Sequence, residues 1–163
     1  MLRGLMPPVT PNPEKIRGFA CAHDFEKWLQ QNHDKQDELW LKIHKKASGL
    51  PTVTYAEALD VALCWGWIDG LKKTFDDSSF LQRFTPRKGK SIWSQINRGH
   101  VACLIAAGRM TPHGQKHIDA AIADGRLDLV HPIYAQAILD LERARTIARI
   151  ERDRISDPQA RVP

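Results

Sequence analysis

The segment from Leu63 to Asn97, LCWGWIDGLKKTFDDSSFLQRFTPRKGKSIWSQIN, constrains this chain more than any other. It holds three of the five tryptophans, Trp65, Trp67 and Trp93. It also holds six of the 24 Lys and Arg residues: Lys72, Lys73, Arg83, Arg87, Lys88 and Lys90. Aromatics and cations crowded this closely either pack on one another or bind something. The segment also sets local structure. Gly66 follows an apolar stripe and is placed to stop a helix in the left-handed conformation. Trp67–Phe75 and Ser79–Thr85 then read as two strands, with Asp76-Asp77-Ser78 as the polar turn of a hairpin.

The flanks extend this pattern. Asp24 to His33 carries Phe25, Trp28 and Leu29 at helical spacing. Glu38 to Lys45 alternates Leu39, Leu41 and Ile43 against Trp40, Lys42 and His44, which predicts a strand with a half-buried tryptophan. Thr54-Tyr55-Ala56-Glu57 is a capping box, and a helix runs from it to about Trp65. After the loop Pro86 to Lys90, Ser91 or Ser94 caps the next helix, and Gly108 lies just past its end. Thr111-Pro112 starts another helix, which stops at Asp124-Gly125. A last helix begins at Pro132 and becomes strongly charged after Leu141. The expected fold class is α+β: a helix-rich single domain with a small antiparallel sheet of about three strands. Residues 1–18 form a flexible Pro-rich arm, 19–131 the domain, 132–156 the C-terminal helix and 157–163 a disordered tail.

A chain of 163 residues is long enough to bury a core without a disulfide or metal staple. The hydrophobic fraction of 42% and charged fraction of 26% are ordinary for a globular protein. The net charge of +5 favours anionic partners weakly. Cys21, Cys64 and Cys103 are far apart and form no CxxC pair, so reduced thiols and a cytoplasmic location are expected. No apolar run approaches the roughly 18 residues of a membrane span. His113 and His117 share a helix face, but two ligands are not a metal site, and neither metal nor cofactor is expected. No GxSxG, HExxH, Walker or GxGxxG pattern is present, so no catalytic residue is assigned.

Several motifs, in order, carry a family resemblance. They are Trp28-Leu29, Glu38-Leu39-Trp40, Thr54-Tyr55-x-Glu57-Ala58 and Ala62-Leu63-Cys64-Trp65-Gly66-Trp67-Ile68-Asp69-Gly70. Phe84-Thr85-Pro86-Arg87, Ser91-x-Trp93-Ser94-x-x-Asn97 and Gly108-Arg109-Met110-Thr111 follow. With these, the stretch from about Phe25 to Gly125 resembles the YdeI/OmpD-associated proteins, also called bacteriocin-protection proteins. The resemblance implies a role in bacterial stress or envelope protection and supplies no catalytic mechanism. The helical segment beyond Gly125 is shorter here than in many such proteins.

The candidate site lies in the second half of the opening segment. The loop delivers Arg87, Lys88 and Lys90 just before a helix, whose first amides and dipole favour anions. Ser91 and Ser94 add hydroxyls, and Asn97 and Arg98 lie about one turn in. Arg87 is the leading anion ligand, because its planar fork suits a phosphate or carboxylate. The competing account is a solvated basic loop with ordinary serine capping. Trp93 is expected in the first helical turn, partly exposed. Trp65 and Trp67 are supporting residues, able to stack on a ligand or to pack in the core. Asp69 reads either as a proton acceptor or as an ion-pair partner of Arg87 or Lys72.

Three functions fit these residues. The first is a non-enzymatic protein binding an anionic small molecule or protein partner at the basic aromatic loop. The second is a single-stranded nucleic-acid-binding module using Trp93 and the cations, which is less favoured. The third is an enzyme of unknown class built on Asp69, Ser91 and Asn97. The oligomeric state stays open.

Overall fold

The computed structural model describes residues 8–129 and 132–156. The chain divides into two compact units, one ending at Arg87 and one beginning at Lys88. The fold is α+β, with the described strands all in the first unit and only helices and loops described in the second.

The first unit contains β1 (Ile16–Gly18), α1 (Ala22–Asn32), β2 (Leu39–His44), α2 (Tyr55–Cys64), β3 (Trp67–Thr74) and β4 (Ser79–Pro86). The sheet order is β1-β2-β4-β3. It therefore has four strands rather than three, and β1 pairs with β2 in parallel, opposite Trp40 to Lys42. The added strand comes from within the proline-rich arm. Asn12 caps a short 3₁₀ turn at Pro13–Lys15, and after it the chain joins the sheet. The prolines at 11 and 13 end before Ile16, so the strand amides are free to pair. The first seven residues of the arm and the tail after Ser156 lie outside the described residues.

The core follows the two periodicities. Leu39, Leu41 and Ile43 of β2 point to one face and meet Phe25 and Leu29 of α1 and Ala58, Val61 and Ala62 of α2, with Trp67 and Phe84. The capping box of α2 is complete: Thr54 accepts from the Glu57 amide and Glu57 accepts from the Thr54 amide. Gly66, at φ 74°, turns the chain from α2 into β3. Trp40, on the opposite face of β2, is fully buried rather than half-buried. Its indole donates to Glu38 (3.0 Å), and the Arg83 guanidinium lies over its ring at 5.9 Å. Arg83 is its cross-strand partner, so register explains the contact. A bulge interrupts β3 between Asp69 and Lys72. Buried Gln82 donates to the carbonyls of Gly70 (2.9 Å) and Leu71 (3.3 Å) there, which leaves the disrupted ladder satisfied.

The second unit holds α3 (Gln95–Ala106), α4 (Pro112–Ala123) and α5 (Pro132–Ser156). Thr111 caps α4 by accepting from the Gly114 amide. Gly108 and Gly125 close α3 and α4 with positive φ. α5 packs along α3, and Arg145 donates to the carbonyls of Ala106 and Ala107 at the C-terminal end of α3. A cation there satisfies carbonyls that the helix leaves without partners. Among the described residues no helix is long and apolar enough to cross a membrane.

Candidate functional site

The unit boundary falls inside the predicted anion loop. Arg87 ends the first unit, and Lys88, Lys90, Ser91, Trp93, Ser94, Asn97 and Arg98 belong to the second.

In the first unit, Arg87 is only 5% exposed, contrary to the reading of it as the leading ligand on an open loop. Its backbone N–H donates to the Gly66 carbonyl at 2.8 Å, which fixes the point where β4 ends beside the start of β3. Trp67 is a core residue, donating from its indole to the His33 carbonyl (3.2 Å) and meeting Trp28 edge-on. Trp65 packs against the core cluster, 5.1 Å from the His33 ring. Asp69 accepts a hydrogen bond from the Tyr55 hydroxyl. That bond and burial push the Tyr55 phenol up to about 12, burial being the larger cause. Of the two expected ion-pair partners of Asp69, Arg87 and Lys72, the latter lies over the Phe80 ring at 4.2 Å.

In the second unit, the chain from Lys88 to Ser94 is held from several sides. The Ser91 amide donates to the Lys88 carbonyl (3.0 Å), which closes a turn with Gly89 and Lys90 at its corners. Ser94, not Ser91, caps α3, accepting from the Asn97 amide at 3.2 Å. Trp93 precedes the helix instead of lying in its first turn, and it is 4% exposed rather than open. Arg98 donates through Nε to the Trp93 carbonyl (3.0 Å) and through Nη2 to the Arg126 carbonyl (3.3 Å). Arg126 in turn donates to the Ser91 carbonyl (2.8 Å) and pairs with Asp124. That bond from Arg126 is the chief cause holding the Asp124 carboxyl below its usual range, and Lys90 adds to it from a distance.

This bracing changes the role of the predicted residues. Arg98 and Ser94 satisfy backbone groups of the loop and helix, and Asn97 is buried. Lys88 and Lys90 stay exposed, and among the described residues neither has an ion-pair partner. Between them and the helix, Ile92 is 87% exposed, and Ile96 in the first turn of α3 is 70% exposed. Sequence reasoning missed Arg126, Ile92 and Ile96. Arg126 follows the helix-stopping Gly125 and gives no local sign of reaching back 35 residues. Of the neighbours Ile92 and Trp93, the tryptophan is the one expected to be partly exposed, and the structure reverses this, burying Trp93 and exposing Ile92. Among the described residues no cluster of three or more His, Cys, Asp or Glu could hold a metal ion.

Residues 17–117 match the family described as Domain of unknown function (DUF8412). The match covers more than half of the chain, and the chain belongs to that family. No curated protein and no solved structure matches it.

Proposed function

We propose that this member of a family of unknown function is a binding protein rather than an enzyme. Its binding element is the braced turn 88–94 with the first turn of α3, and it takes an acidic protein segment bearing apolar side chains. One observation carries the reading: adjacent residues at the tip differ completely, Trp93 being buried and Ile92 almost fully exposed. A loop anchored through Trp93, Arg98 and Arg126 presents Ile92 at little entropic cost on binding. The exposed Lys88 and Lys90 beside it favour a negative partner and speed its approach. Exposed isoleucines flanked by cations suit a mixed acidic and apolar surface better than a bare anion. The burial of Trp93 removes the stacking platform that single-stranded nucleic acid would need. The resemblance to YdeI/OmpD-associated proteins gives the reading its biological setting, protection against stress or bacteriocins.

The test uses a labelled peptide of alternating Glu and Leu, followed by fluorescence anisotropy. Binding should weaken with added salt and weaken further in Lys88→Glu plus Lys90→Glu and in Ile92→Asp. Since both sites are exposed, far-UV circular dichroism should be unchanged. Affinity indifferent to both variants would sink the proposal.

A further inference from the structure

The first unit has a cleft of its own, lined by none of the residues of the loop 88–94. A cleft of about 260 Å³ opens between the 3₁₀ turn with β1, the C-terminal half of α1 and the start of β2. It is smaller than the roughly 300–1,000 Å³ clefts that take drug-sized ligands, and its walls are mostly polar.

The charges around it divide into two kinds. Two pairs are already occupied with each other. Lys15 is bonded to Asp37 at the rim. The Glu38 carboxylate, also in the lining, accepts from Arg83 Nε (2.6 Å) and from the Trp40 indole (3.0 Å). Two further charges have no ion-pair partner among the described residues: the Arg17 guanidinium and the Glu14 carboxylate. Arg17 makes only a 3.3 Å bond to the neighbouring Ile16 carbonyl, which leaves most of its donor fork open. The floor is fixed. Trp28, half-buried, is stacked on Phe25 and meets Trp67 edge-on. Asn32 donates its amide to the Trp28 carbonyl (2.8 Å), so its side-chain oxygen remains an acceptor.

We infer that this cleft binds a small zwitterion, of the size and charge of a free α-amino acid. Arg17 receives the carboxylate by its planar fork. Glu14 and the Asn32 oxygen receive the ammonium group, and the Trp28 face takes the apolar remainder. The balance of open charge sets the class. A simple anion leaves the Glu14 carboxylate of the lining without a counter-charge, and a simple cation leaves Arg17 so, whereas a zwitterion supplies both charges. The internally paired Glu38 and Lys15 shape the walls without adding net charge.

The test is calorimetric titration of the full chain with each of the common L-α-amino acids to about 10 mM, a range that captures weak sites. At least one should saturate with one-to-one stoichiometry. Its methyl ester and its N-acetyl derivative should each bind at least about tenfold more weakly. Arg17→Met should weaken the parent amino acid by a similar factor while leaving the ester's affinity nearly unchanged, a pattern that a merely structural role would not give. Arg17 is exposed, so the variant should fold. Absence of saturation by every amino acid overturns the inference, as does equal binding of the ester and the parent. Because the loop variants Lys88→Glu and Lys90→Glu should leave this titration unchanged, failure here and failure of the binding-loop proposal are separable.

Discussion

Glu38 is the residue whose replacement tests the packing argument most directly. Its carboxylate serves two groups at once: the indole N–H of Trp40, which is fully buried, and the Arg83 guanidinium. The Glu38 and Arg83 side chains are 16% and 32% exposed, so the ion pair is half-buried. Glu38→Ala strands the Trp40 donor, at a cost of about 1–3 kcal/mol. Loss of a partly solvated ion pair adds roughly 1 kcal/mol. The expected destabilisation is therefore about 2–4 kcal/mol. Glu38→Gln keeps an oxygen for Trp40 and removes the charge, so it should cost only about 1 kcal/mol. Arg83→Met should fall between the two, and the Glu38→Ala plus Arg83→Met double variant should cost less than the sum of the single ones. Urea unfolding followed by far-UV circular dichroism gives the free energies, and the indole N–H resonance of Trp40 reports its bond. If Glu38→Gln costs as much as Glu38→Ala, or if the alanine variant loses less than about 0.5 kcal/mol, the account of Trp40 is wrong.

Three further outcomes follow from the first unit. Gly66→Ala places a Cβ at φ 74°, and should lower stability by about 1–2 kcal/mol in the same urea titration. The Tyr55 phenol is raised to about 12 in the native state. Its contribution is thus fully present below the ordinary phenol range, about 10, and is lost as pH rises through the native value. The difference in stability between the protein and Tyr55→Phe should shrink over that alkaline window and stay constant from pH about 6 to 9; a flat difference throughout would refute the bond to Asp69. The Asp76 carboxyl is lowered to about 2, first by the Ser79 hydroxyl and also by the Ser78 amide and hydroxyl and Lys42. Its contribution is present above the ordinary Asp value and is lost as pH falls through about 2, so acid unfolding should shift to higher pH in the loss-of-charge variant Asp76→Asn only if the hairpin turn depends on that carboxylate. An unshifted acid transition removes the turn from the list of acid-sensitive contacts.

Local signals were well written in the sequence, because they need only a few neighbouring residues. The capping box at Thr54 and Glu57, the helix stops at Gly66, Gly108 and Gly125 and the hairpin around Asp76 are each fixed within about four residues. The parallel strand Ile16–Gly18 was not legible. Three residues carry no alternation to read, and their pairing with Trp40 to Lys42 is settled by register between distant segments. The site was less legible still, for one physical reason. A sequence shows which cations exist, but not which of them are already occupied by the protein's own carbonyls and carboxylates. Arg87 and Arg98 lie in or next to the same stretch, Arg126 well beyond it, and all three look alike as sequence. Arg87 is buried, and Arg98 and Arg126 donate to backbone carbonyls. Lys88 and Lys90, beside an exposed isoleucine, and in the other unit Arg17, have no ion-pair partner among the described residues. Arg17 lies outside the cation-rich segment altogether. Availability, set by long-range hydrogen bonding, and not local charge density, is therefore the ground on which both binding sites are proposed.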